Sequence, residues 1–267
     1  MKLNKLIAIA TISLLSGGIS MAQKALNLED IVAGNVIQTK GIGSMTWLKD
    51  GERYSRLENN KQTGGTDIVA YQAKDNSREV IIPSSLLTDK STGKPIPARS
   101  ISWSADNKKV LIYNNTQRVW RYDTRGDYWV LNLKDGALRQ LGKGMPESSM
   151  MFAKFSPDGT RVAYVSNNNI YVEDIDSGKI TQLTKDGSDT IVNGTFDWVY
   201  EEEFSCRDGF RWSPDGKHIA YWQSDTKGTG VFDIINNVDS IYAKVIHFPY
   251  PKAGTCLLYT SPSPRDA

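Results

Sequence analysis

The feature that most constrains this chain is a motif that returns four times. Met45-Thr46-Trp47-Leu48-Lys49-Asp50-Gly51, Ile101-Ser102-Trp103-Ser104-Ala105-Asp106-Asn107, Ala153-Lys154-Phe155-Ser156-Pro157-Asp158-Gly159 and Phe210-Arg211-Trp212-Ser213-Pro214-Asp215-Gly216 each set an aromatic residue before a polar turn. The anchors Trp47, Trp103, Phe155 and Trp212 stand 56, 52 and 57 residues apart. Proline fixes φ at the second position of a tight turn, and Asp and Gly suit the later ones, so Ser-Pro-Asp-Gly predicts a link between two antiparallel strands. The alternating runs Arg161 to Val165 and Lys217 to Trp222 follow as strands. A second hairpin per unit is predicted by Ile170 to Leu183, turning at Asp176-Ser177-Gly178, and by Tyr128 to Leu138, turning at Asp135-Gly136.

Two hairpins make a four-stranded blade, and a unit of this size buries its faces only by packing against neighbours. The expected fold is therefore all-β, a β-propeller with about four blades present as an open arc, since propellers close with about four to eight. A β-sandwich also uses short strands and regular turns, but nothing in it requires a turn motif at a constant long period.

Charge excludes some partners. Lys and Arg total 32 against 30 Asp and Glu, and residues 23–255 balance at 29 of each. A nucleic-acid or anionic-membrane binder carries a basic footprint that is missing here. Met1-Lys2-Leu3-Asn4-Lys5, the apolar run Leu6 to Leu15 and Ser20-Met21-Ala22 have the anatomy of a secretory leader, with cleavage expected after Ala22. Ser13, Ser16, Gly17 and Gly18 interrupt that run before the roughly 20 apolar residues a spanning helix needs. An exported product, periplasmic or extracellular, without stable membrane insertion is expected. Residues 256–267, from Cys256 through Tyr259-Thr260-Ser261-Pro262-Ser263-Pro264-Arg265-Asp266, resemble a reading frame of a transposase adapter used in sequencing libraries, so the tail is expected to be non-native and the gene cut near Thr255. Without Cys256, Cys206 is the sole cysteine and no intramolecular disulfide is expected.

One segment breaks the repeat: Asn193-Gly194-Thr195-Phe196-Asp197-Trp198-Val199-Tyr200-Glu201-Glu202-Glu203-Phe204. A charge cluster is most simply a solvated face. Here, however, three consecutive carboxylates are wedged between aromatic residues, and partly desolvated carboxylates of that kind mark cation sites. Adjacent side chains of a strand point to opposite faces, so Glu202 and Glu203 can act together only if Tyr200 to Phe204 leaves the sheet as a short helical turn.

Asp197-Trp198-Val199-Tyr200-Glu201-Glu202-Glu203 resembles the signature of the dipeptidyl peptidase IV family of serine exopeptidases, and Pro249-Tyr250-Pro251-Lys252-Ala253-Gly254 and Asn114 to Leu133 resemble its flanking stretches. The resemblance runs from Leu26 to Thr255 and implies the N-terminal part of an eight-bladed propeller that accompanies an α/β-hydrolase domain. It implies a peptide substrate with a free N-terminus, from which Xaa-Pro or Xaa-Ala dipeptides are released. Glu202 and Glu203 match the pair that binds the substrate ammonium, and Glu201 is less directly engaged. Arg121, in Val119-Trp120-Arg121-Tyr122, matches the arginine on a substrate carbonyl, whereas Arg125 has no such match. Val231 to Ile246 resembles an extension that reaches a neighbouring subunit, so the full-length parent is expected to be a homodimer.

No Gly-x-Ser-x-Gly elbow occurs, and His218 and His247 read as ordinary sheet histidines, so the chain is expected to hold no catalytic residue and to be inactive alone. No Cys/His cluster or Gly-rich loop suggests a metal or a cofactor. The competing class is a non-catalytic envelope propeller that binds peptide or protein partners.

Overall fold

A computed structural model describes residues 27–32, 41, 43–255 and, for the backbone, 259–266. The expected leader, residues 1–22, lies outside the described residues. The chain divides into two units, 1–42 and 43–267. In the first, the described part is a five-residue helix, α1 (Leu28–Val32), whose Leu28, Ile31 and Val32 are exposed. No helix among the described residues is long and apolar enough to cross a membrane.

The second unit is built almost wholly from antiparallel strands. β1 (Thr46–Trp47), β2 (Arg53–Asn59), β3 (Thr66–Gln72) and β4 (Arg78–Ile82) form a sequential four-stranded blade. The next is β5 (Ser100–Trp103), β6 (Lys109–Val119), β7 (Tyr122–Asn132) and β8 (Ala137–Gln140), and a third is β9 (Met150–Phe155), β10 (Arg161–Ser166), β11 (Asn169–Asp174) and β12 (Ile180–Gln182). A single pairing, Gly126 with Met150, joins the second and third into one sheet. The repeat read from the sequence is thus the structural unit.

The turns show why the motif keeps its serine and aspartate as well as Pro and Gly. In the third repeat Ser156 Oγ donates to Asp158 Oδ1 (2.5 Å) and accepts from the Arg161 amide (3.0 Å), while the Gly159 amide donates to the Ser156 carbonyl (2.9 Å). Ser104 with Asp106 and Ser213 with Asp215 repeat the arrangement. In the second and third repeats the residue after the turn then reaches the next blade: Lys109 Nζ donates to the Gly159 carbonyl (2.9 Å) and Arg161 Nη2 to the Gly216 carbonyl (2.6 Å).

Three apolar clusters fill the spaces between blades, and they account for a departure from simple alternation. Val110, Ile112 and Leu131 pack toward the first blade with Ile68 and Ile82, whereas Leu111, Tyr128 and Val130 pack toward the third with Val162 and Tyr164. Ala163 and Val165 turn to the opposite cluster with Phe210, Ile219 and Tyr221. Both faces of a middle blade are covered, so consecutive residues are buried and only their direction alternates. Each such side chain contributes about 1.5–3 kcal/mol by leaving water.

The fourth repeat differs. β13 (Ile191–Asn193) and β14 (Phe210–Trp212) lie on the same edge of β15 (His218–Asp225), so they are two halves of one interrupted strand. The chain between them leaves the sheet and carries a helix, α2 (Trp198–Phe204). β16 (Val231–Asn236) and β17 (Lys244–Pro249) form their own two-stranded ribbon, as expected of an extension, with Val231, Ile235, Val238, Ile241, Tyr242 and Val245 exposed. β18 (Tyr259–Asp266) pairs along the other edge of β15, so the backbone of the expected non-native tail is a strand here. Pro262 and Pro264 stand opposite Trp222 and Ala220, whose ladder partners lie on the β13/β14 side, so neither proline is asked for an N–H.

Candidate functional site

The excursion between β13 and β14 is closed at a neck of two glycines. The Gly209 amide donates to the Gly194 carbonyl (3.1 Å), the Gly194 amide to the Trp222 carbonyl (2.9 Å) and the Trp222 amide to the Gly209 carbonyl (2.9 Å). Thr195 and Asp208 pair as an isolated bridge just beyond. A Cβ on Gly209 would stand 2.9 Å from the Gly194 carbonyl carbon, and Gly194 has φ +71°. Gly209 needs glycine because its foot touches the backbone of the other, and Gly194 because its φ is left-handed and a Cβ there would press on the Ile170 side chain at 2.8 Å.

Within the excursion, Asp197 caps α2: its Oδ1 accepts from the Tyr200 amide (3.1 Å) in extended backbone geometry. Ser205, at φ 55°, ends the helix, and the Cys206 amide returns to the Tyr200 carbonyl (3.0 Å). The sheet expectation that adjacent carboxylates would diverge is thereby lifted, and the short helical turn read from the sequence is present. Three glutamates occupy this seven-residue helix with no basic residue in its last turn. Glu201 falls in the first turn, where the helix dipole favours a carboxylate, but Glu202 and Glu203 fall toward the C-terminal end, where the dipole opposes them, a local rule broken where function is expected.

Aromatic packing fixes the helix. Trp198 meets Trp120 (6.4 Å between centroids) at the tip of the long β6–β7 hairpin, and Phe248 (4.7 Å) and Tyr250 (5.5 Å) at the base of the ribbon. Phe196, Tyr200 and Phe204 form a ladder at 5.4 and 5.5 Å that Trp222 joins at 6.3 Å. Arg207 stacks over Tyr122, 3.8 Å from the ring centre, so the hairpin tip is gripped from two sides.

The three glutamates have three environments. Glu201 is buried, its Oε1 has no hydrogen-bond partner among the described residues, and burial pushes its carboxyl up to about 7, with Arg207 opposing and Glu202 adding to the rise. Glu202 exposes 6% of its side chain; Arg121 Nε lies 2.6 Å from Oε2, and Oε1 is buried with no partner among the described residues. Glu203 is exposed. Arg121 keeps 76% of its side chain exposed, so its remaining guanidinium face is open to solvent.

Glu202 and Arg121 are therefore in contact, with Glu203 on the same helix. Arg125 is exposed and is among the residues that line the cavity beneath α2. His218 lies on β15, and His247 lies on β17, where its Nδ1 is 2.6 Å from Asp233 Oδ1 across the ribbon. Among the described residues no cluster of His, Cys, Asp and Glu has the makings of a metal site. Beneath α2 lies a cavity of about 570 Å³ lined by Trp120, Thr124, Asp197, Trp198, Glu201 and Phe248, among others.

One contact escaped the sequence reading. Lys154, on the neighbouring blade, places Nζ 2.5 Å from Asp208 Oδ1 and 3.4 Å from the Phe210 ring centre. Its signal in the sequence is a single lysine in a strand that is otherwise apolar and aromatic, Met150-Met151-Phe152-Ala153-Lys154-Phe155.

An open set of antiparallel blades, one of which lifts a capped acidic helix onto an arginine from a neighbouring hairpin, defines a propeller-type domain with a ready-made carboxylate site. The sequence profile of the dipeptidyl peptidase IV (DPP IV) N-terminal region matches residues 104–257, more than half of the chain. The chain belongs to this family. It is 31% identical over 240 residues to dipeptidyl aminopeptidase B of Saccharomyces cerevisiae, an alignment covering 84% of this chain and 27% of the yeast protein. It superposes on the crystal structure of Porphyromonas gingivalis dipeptidyl peptidase 4 with a TM-score of 0.76 at 26% identity, covering 89% of this chain and 33% of that one. A Bacteroides ovatus structure shares the fold, with a TM-score of 0.58 at 16% identity over 86% of this chain and 29% of its own. The chain thus spans about a quarter to a third of the length of these relatives.

Proposed function

We propose that this chain is the substrate-gating propeller portion of an exported serine-type dipeptidyl aminopeptidase, and that Glu202 and Glu203 hold the substrate's N-terminal ammonium while Arg121 holds a backbone carbonyl. The observation that carries the reading is the half-used carboxylate of Glu202. One oxygen is taken by Arg121 and the other is buried without a partner among the described residues. A buried carboxylate left so gains by receiving a charged N–H donor. An α-ammonium, with an ordinary pKa of about 7.7–8.0, supplies one at neutral pH. Two unit charges at about 4 Å attract by roughly 4 kcal/mol at an effective dielectric near 20, before desolvation. Even a fraction of that separates free from blocked N-termini, since about 1.4 kcal/mol is tenfold.

The hydrolytic machinery would come from the hydrolase part of the parent, so the propeller's task is to measure two residues from the free end. The ribbon with its exposed Ile241 and Tyr242 supports a homodimeric parent. In the full-length enzyme, Glu202→Gln and Glu203→Gln are each expected to lower kcat/KM for Xaa-Pro amides about a hundredfold, or roughly 2.7 kcal/mol. Near-normal turnover in both variants would return the acidic run to a solvated surface cluster.

A further inference from the structure

The acidic helix is held by more than its own blade. The first foot of the excursion is fixed at Gly194 by the β15 backbone. The second ends at Asp208, whose carboxylate is shared: Oδ1 takes Lys154 Nζ at 2.5 Å, and Oδ2 takes Arg211 Nη1 at 2.9 Å. Arg211 is 64% exposed, whereas Lys154 keeps only 25% of its side chain in solvent. Lys154 comes from β9, the first strand of the preceding blade. Its ammonium also donates to the Phe152 carbonyl (3.1 Å) and sits against the face of Phe210. Its own carbonyl accepts from Trp212 Nε1 (3.3 Å), so the same residue is tied to β14 at both its backbone and its side-chain end.

Resting on the proposed reading of the acidic site, we infer that Lys154 is a positioning residue for it: by clamping Asp208 to the preceding blade, it fixes the foot of the excursion and so the stance of Glu202 and Glu203. The alternative anchor, Arg211, sits on the same strand as the foot and gives no cross-blade reference. Bringing a lysine into this place has a cost, visible in an ammonium held down to about 8 by burial against the opposing pull of Asp208. A lysine serving only to fill space between blades would be better replaced by an apolar residue.

The test uses the full-length enzyme with Lys154→Met, Lys154→Arg and Asp208→Asn, an Xaa-Pro chromogenic amide, and hydrogen exchange over residues 195–208. Lys154→Met is expected to raise KM about tenfold with kcat within about twofold, and to speed exchange in 195–208 while blade strands keep their protection. Lys154→Arg, which preserves the charge, is expected to recover KM to within about threefold. Lys154→Met combined with Asp208→Asn should cost less than the sum of the two single changes, because the Lys154–Asp208 contact is lost only once while the Arg211 pair goes with Asp208→Asn in either background. Unchanged KM and exchange in Lys154→Met would overturn the inference, as would a uniform loss of protection throughout the blades that Lys154→Arg does not rescue. Lys154→Gln, which keeps a donor for the Phe152 carbonyl, carries the same readouts if Lys154→Met does not fold. The amine reading fails separately: normal kcat/KM in both Glu202→Gln and Glu203→Gln would sink it, while faster exchange of 195–208 in Lys154→Met would still establish the clamp.

Discussion

Arg121 Nε stands 2.6 Å from Glu202 Oε2, although the two residues belong to different blades and neither lies in a blade's regular sheet. Arg121 is at the tip of a hairpin that runs past its blade, where Trp120 turns with φ 54°, and Glu202 is on a helix lifted from an interrupted strand. The pair therefore reports the alignment of two separately built projections.

Arg121→Lys keeps the charge but loses the planar fork that lets one nitrogen hold Glu202 while others stay available. The variant is expected to lower kcat/KM for Xaa-Pro amides roughly tenfold, chiefly through KM, and to leave the melting temperature near wild type. Steady-state kinetics beside a thermal melt checks both halves.

Glu201 gives the fold a pH dependence whose sign is fixed by burial. Its folded-state value of about 7 lies above the ordinary 4.5, so the folded chain binds the proton more tightly between those values. Its contribution is full below about 4.5 and is lost as pH rises through about 7. Glu201→Gln is expected to flatten the fall in melting temperature between pH 5 and pH 8. An equal fall in both proteins would show that the group does not titrate in this window.

Gly209→Ala places a methyl against the backbone of the other foot, 2.9 Å from the Gly194 carbonyl carbon and 3.0 Å from the Thr195 nitrogen. Backbone cannot swing aside, so the expected cost is about 1–3 kcal/mol with the acidic loop displaced. Denaturant midpoints give the first quantity, and proteolytic nicking within 195–208 the second.

Ser156→Ala removes both the donor to Asp158 and the acceptor for the Arg161 amide. A loss of about 1–3 kcal/mol is expected, since both hydrogen bonds of a part-buried turn go with the hydroxyl. Ser213→Ala, in the more exposed fourth turn, should cost less, and urea melts of the two variants compare them directly.

Ile241→Asp in the ribbon is expected to leave the melting temperature of the chain unchanged while weakening self-association of the full-length parent. Ile241 is 99% exposed, so no described residue packs closely on it. Light scattering across a dilution series checks it; self-association unchanged by Ile241→Asp would refute the ribbon's proposed part in assembly.

How far the sequence could be read depended on the range of the contacts. The turns were legible because Ser156, Pro157, Asp158 and Gly159 act on each other within a few residues. The departure of Tyr200 to Phe204 from the sheet followed from the need to bring adjacent carboxylates together, and Asp197 before it is an ordinary cap. The blade faces were half legible: Val162 to Val165 read as a strand, but that both faces are covered depends on neighbours 50 or so residues away. The clamp of Lys154 on Asp208 spans 54 residues, and the stacking of Arg207 on Tyr122 joins two projections. Apart from the lone lysine in the apolar strand Met150 to Phe155, nothing local distinguishes these residues from surface charges and a turn aromatic.

The paired glycines have an outcome for change over time. Because the two feet are locked side by side, the span between them is set by the sheet and does not vary with the number of residues carried above it. Loop length then bears only weakly on stability, each doubling costing about 0.6 kcal/mol. The segment from Thr195 to Asp208 is in this sense a cassette: its contents can change while the strands below keep their register, provided Gly194, Gly209 and the Asp208 foot stay.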